Sequence, residues 1–200
     1  MKLSAAIVLL LSIFFVSPAG AVTKTTFQLV ANPKFLSCLS GAKGTPTAKV
    51  TVTEGKLNDT LTISLSHVKP NLGFDLFTIQ RTNLLATGEL DPNFTTFGLA
   101  WYQTDVQADK NGNANATIHT ILVDEIFGFD PDVSLTPTNT FHVGIWFDNP
   151  DEATACGFTG TTPFNGEHDA GPNAMISVPS AMGLGPLCLN PSSTPGVCSP

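Results

Sequence analysis

Arginine is almost missing from this 200-residue chain: Arg81 is the only one. Charged residues make up only 12%, and acidic groups outnumber basic ones 16 to 9. A nucleic-acid binder needs a basic face to displace counterions, and nothing here can build one. An anionic membrane surface is disfavoured for the same reason. The nucleophile signatures are missing too. The chain has no GxSxG, no HExxH and no glycine-rich phosphate loop. No CxxC or CxxH spacing offers an ordinary zinc site. No helical periodicity is sustained, although Asp124 to Gly128 could form one turn.

Only one long apolar run is present, and it lies at the start. Lys2 precedes Ala5 to Val16, Pro18 breaks the run, and Ala19-Gly20-Ala21 supplies the small residues a signal peptidase reads. The run is short for a membrane span. It predicts a secretory leader over residues 1–21, with cleavage after Ala21 and no membrane anchor afterwards. Residues 22–180 then form one domain, and 181–200 a Pro/Ser-rich tail. The expected destination is extracellular.

Four cysteines follow the leader: Cys38, Cys156, Cys188 and Cys198. An even number in an exported chain points to two disulfides. The favoured pairing is Cys38–Cys156 with Cys188–Cys198, the second closing a loop within the tail. Asn58, Asn93 and Asn115 begin Asn-X-Ser/Thr triplets, which chance explains in a chain rich in Asn and Thr.

The remaining pattern has period two. "AKVTVTEG" alternates around Val50 and Val52. "DTLTISLSHV" puts Leu61, Ile63, Leu65 and His67 on one face. "NTFHVGIWFD" puts Phe141, Val143, Ile145 and Phe147 on one face. With "FQLVA", "GFDLFTIQR", "GLAWYQTDVQAD", "ANATIHTILV" and "AMISVP" this makes about eight strands, separated by turn residues. The expected fold is an all-β, disulfide-stapled antiparallel β-sandwich, Ig-like or jelly-roll-like.

Few residues could carry chemistry. "ADKNGNANAT" spaces Asp109, Asn111, Asn113 and Asn115 like calcium ligands, but its glycine falls at loop position four and position twelve is Thr120. Asn-Gly between alternating strands reads as a hairpin, similar to those of bacterial Ig-like modules. His67 reads as a core histidine bonded to a backbone carbonyl. His119 has no His-X-His partner. Glu125, Asp130 and Asp132 fit turn formation as well as acid–base work.

Two places stand out. Opposite the apolar face of "FHVGIWFD" lie His142, Gly144, Trp146 and Asp148, a strip on which a sugar could stack. "TPFNGEHDAGP" then supplies Glu167, His168 and Asp169. His142, His168 and one carboxylate, Glu167 or Asp169, would suit zinc or copper, with calcium a poorer fit. Glu167 could instead orient His168 from behind. Polar turn-capping explains this loop equally. The preferred reading is a non-catalytic extracellular binding or structural module without a cofactor, its ligand a carbohydrate or a protein. A metal-dependent enzyme using His142 and His168 is the alternative.

The segments "FDLFTIQRTN", "GLAWYQTD" and "TPFNGEHDAGP" resemble stretches of uncharacterised secreted bacterial β-sandwich proteins. The resemblance implies no activity and assigns no role to any residue.

Overall fold

The computed structural model describes residues 23–120, 133–136, 138, 141–160, 162, 168–188, 192–193 and 198. The expected leader, the Asp124–Gly128 turn, Asp130, Asp132 and Glu167 lie outside the described residues.

Eight strands form where the alternation predicts them: β1 Lys24–Ala31, β2 Thr47–Thr53, β3 Asp59–Ser66, β4 Gly73–Ile79, β5 Ala100–Gln107, β6 Ala114–Thr120, β7 His142–Phe147 and β8 Asn173–Ser177. The Leu61/Ile63/Leu65 and Val50/Val52 faces are buried, as is Phe141/Val143/Ile145/Phe147. On the opposite face of β1, β2, β3 and β6, threonines pair across strands: Thr26 with Thr51 at 3.1 Å and Thr62 with Thr117 at 3.2 Å.

The expected sandwich is not what these strands build. All eight join one antiparallel sheet in the order β5-β4-β7-β8-β1-β2-β3-β6. The sheet curls into a nearly closed, barrel-like shape, because its two end strands, β5 and β6, are consecutive in the chain and lie side by side. Alternation reports that one face is buried. It does not report whether a second sheet or the far side of the same sheet covers that face.

The Asp109–Asn113 segment makes this closure. Asp109 accepts from the backbone N–H groups of Asn111 at 2.8 Å and Asn113 at 2.9 Å, and Gly112 takes φ +75°. Those two bonds, that from Asn113 first, lower the Asp109 pKa. The segment is thus a turn, as Asn-Gly suggests, and its aspartate is turned onto the backbone. It is not a hairpin, because β5 and β6 share no ladder.

His67 departs from its predicted place. β3 ends at Ser66, and His67 takes φ +64°, which ends the alternation. Val68 is buried instead, and His67 donates from Nδ1 to the Thr45 carbonyl at 3.2 Å near the surface.

Two short helical segments escape the period-two reading. A 3-10 turn at Pro33–Phe35 leads into α1, Leu36–Leu39, and a second 3-10 segment spans Pro150–Cys156. The second has Asn149 as N-cap, Pro150 in its first turn, and Gly157 at φ +81° after it. The disulfide Cys38–Cys156 joins these two segments, and Cys188–Cys198 closes the tail loop. Both pairings are those expected. Leu184, Leu187 and Cys198 are buried, and the Leu187 N–H donates to the Phe141 carbonyl at 3.2 Å, so these residues pack on the barrel.

Cross-links that close longer loops restrict the unfolded chain more. The Cys38–Cys156 loop spans 118 residues against 10 for Cys188–Cys198. Chain entropy alone assigns about 5 kcal/mol to the first and about 3 kcal/mol to the second. Replacing each pair by serines and measuring urea unfolding should show the larger loss for Cys38→Ser/Cys156→Ser.

Candidate functional site

Strand β7 carries the predicted binding strip, and every residue of β7 is buried. Its inner face fills the barrel. Its outer face lies under a second apolar cluster of Phe77, Ile79, Leu84, Trp146, Ala170 and Ile176, with Phe97 packed against it. Trp146 meets Phe77 and Phe97 edge-on, each at 5.1 Å between ring centroids. The expected exposed sugar platform is therefore absent: Trp146 is fully buried beneath a loop that carries Phe97. A tryptophan this covered contributes on the order of 4–6 kcal/mol of transfer free energy.

Gly144 has a different use from the one its sequence suggests. A Cβ there would sit 2.8 Å from Cζ3 of Trp146 and 3.3 Å from Ile176 Cγ1. The space that could admit a ligand holds the indole. Its Nε1 finds no hydrogen-bond partner among the described residues.

His142 is also buried. Its Nδ1 donates to the Ser177 carbonyl at 3.2 Å and lies 2.9 Å from the Ser177 hydroxyl, which accepts from the Val143 N–H at 3.2 Å. Burial pushes the imidazole pKa down to about 4, and the bond to Ser177 opposes that shift. This is a neutral histidine stitching β7 to β8.

The two histidines of the expected metal site do not converge. His142 opens β7, and Asp148 follows its last residue. Six residues of extended chain separate them by about 20 Å. His168 lies at the Asp148 end, with Nε2 3.2 Å from Asp148 Oδ1. A histidine pair on one ion is thereby removed.

What gathers instead is Asp75, Asp148 and His168. One ligand atom from each lies within 4.8 Å of the others. Asp75 comes from β4 and is fully buried, whereas Asp148 and His168 keep 37% and 45% of their side-chain surface. The β4–β7 ladder brings the carboxylates together. Phe74 pairs with Phe147, and the Asp148 N–H donates to the Gly73 carbonyl at 3.0 Å. Gly73 must be small here, since a Cβ would meet Asp148 Cβ at 2.9 Å.

Glu152, on the Pro150–Cys156 segment, adds a further carboxylate. Burial pushes its pKa up to about 7. A hydrogen bond from the Gly73 backbone opposes the shift, and the charge of Asp148 adds to it. Asp169 is exposed, and neither it nor Glu152 belongs to the Asp75, Asp148 and His168 group.

An open groove of about 630 Å³ runs along the same segment, lined by Asn149, Asp151, Thr154, Phe158 and Thr159. Neither Asp75, Glu152 nor this groove was singled out from the sequence. The signals were an aspartate inside the apolar run "GFDLF" and the helix-start pattern Asn149-Pro150-Asp151-Glu152. No family model, no curated protein and no solved structure matches this chain.

Two expectations follow from the buried strand. Gly144→Ala overpacks the indole and should lower stability by roughly 1–3 kcal/mol, read as a fall in the urea midpoint. His142 is protonated near 6.5 when unfolded and only near 4 when folded. Its contribution to stability is complete above about pH 6.5 and is lost as pH falls towards about 4, a change of about 3 kcal/mol. Unfolding measured across that window should show the slope, and His142→Asn should flatten it whatever its effect on absolute stability.

Proposed function

We propose that this chain is a secreted, non-catalytic binding module whose ligand face is the groove along Pro150–Cys156. The observation that carries the reading is covalent anchoring. Cys156 ends the segment that walls the groove, and its disulfide to Cys38 ties that wall to α1. The Asn149 cap, whose side chain accepts from the Asp151 N–H at 2.9 Å, fixes the other end. A wall held at both ends loses little freedom when a ligand docks, which favours affinity.

The lining gives the ligand class. Thr154, Thr159 and Asp151 line the groove together with one half-buried ring, Phe158. Hydroxyl and carboxylate side chains in one groove with an aromatic ring suit a carbohydrate. Two disulfides support an oxidising, extracellular destination.

The test is a glycan array followed by titration calorimetry on the best binder. Asp151 and Thr154 are exposed, so removing either side chain spares the fold. Asp151→Ala and Thr154→Ala should each weaken binding roughly tenfold or more. No retained glycan, or one that both variants bind as tightly as the parent, would sink the carbohydrate reading.

A further inference from the structure

We infer that Asp75, Asp148 and His168 form a site for one divalent transition-metal ion of the zinc class. The inference stands apart from the groove and its ligand.

Spacing is the first reason. Zinc bonds imidazole nitrogen and carboxylate oxygen at ~2.0–2.2 Å in tetrahedral sites, which places neighbouring ligand atoms ~3.4 Å apart. His168 Nε2 and Asp148 Oδ1 already stand at 3.2 Å. The whole set lies within 4.8 Å, so closing it onto an ion needs movements of about 1.4 Å or less. Asp148 and His168 are half-exposed and can make them.

Origin is the second reason. The three side chains come from strand β4, the end of β7 and the segment before β8. Asp75 and Asp148 are fixed by the ladder beneath them, and His168 approaches from the surface. An exposed run of acidic residues has no such frame. Asp75 is fully buried, and its carboxylate offers an oxygen within 4.8 Å of the ligand atoms of Asp148 and His168.

Glu152 is half-buried on the neighbouring Pro150–Cys156 segment and is not one of the three, so the inference stands on Asp75, Asp148 and His168 alone.

The donor types choose the ion. One imidazole with carboxylates matches zinc and its first-row neighbours, whereas calcium takes 6–8 oxygens and no imidazole. Partial exposure of Asp148 and His168 leaves the outer coordination position to water.

The experiment uses the purified protein with both disulfides intact, stripped with chelator. Zinc binding is followed by calorimetry, and cobalt(II) substitution by visible absorption. The expected result is one ion per chain and cobalt bands of a four-coordinate N/O site. His168→Ala and Asp148→Asn should each weaken binding by at least ~10–100-fold, with folding confirmed by circular dichroism. Both side chains are half-exposed, so these variants test the site without disturbing the buried Asp75. His119→Ala, an exposed histidine on β6, should bind as the parent does. Absence of saturable binding overturns the inference. So does binding that survives His168→Ala, since the ion would then sit elsewhere.

Discussion

Strand β7 shows neither face to water, and much of the molecule follows from that. A strand in a curled antiparallel sheet ordinarily buries one face and wets the other. Here β4, β7 and β8 are buried throughout, so their outer faces need a cover of their own. The chain provides it from the connections, with Leu84 and Phe97 from the segment between β4 and β5, and Ala170 from the approach to β8. Burial on both sides also imposes a polar requirement. Each polar side chain on the covered face must find a partner or bear a desolvation cost of ~1–3 kcal/mol. His142 finds Ser177, and Asn173 donates to the Ile145 and Met175 carbonyls, both at 3.3 Å. Asp75 sits on the same covered face of β4, where the cover gives way to the half-exposed Asp148 and His168.

The same constraint explains what was legible in the residues. All eight strands could be placed, because each is an alternating or apolar run bounded by turn residues. The disulfide pairing was legible from loop length and export. Barrel versus sandwich was not, because closure depends on β5 and β6 meeting edge to edge. The outer face of β7 misled for a related reason. His142, Gly144 and Trp146 form a mixed, polar-looking set in one dimension, and only the folded-over connection reveals it as interior. His67 shows the local limit of periodicity, since one residue at positive φ ends a strand without changing its pattern.

The candidate site was half legible. Asp148 and His168 were both named, but on different grounds: Asp148 in the strip with His142 and Trp146, and His168 as a ligand beside His142. The meeting of Asp75 with Asp148 depends on the register of β4 against β7, and register is a long-range property that no window of sequence contains. Asp75 was hidden because an aspartate flanked by Phe74 and Leu76 reads as a strand passing through the core.

β8 occupies a place in the sheet that its position in the chain conceals. It is five residues long and comes last of the strands, yet it lies between β7 and β1. Among the described residues, the three strands β5, β4 and β7 and the four strands β1, β2, β3 and β6 are laddered to one another only through it. A chain emerging from its N-terminus can zip β1, β2 and β3 early, since they follow one another closely, and β6 joins them after β4 and β5 have emerged. The other part must wait with an open edge on β7, and β1 must wait with an open edge as well. Both edges stay available to foreign strands until the final segment arrives. The interval before β8 leaves the exit is therefore the period of greatest risk of mispairing, and a stall in synthesis or export just upstream of Asn173 would leave two part-sheets with no ladder between β7 and β1.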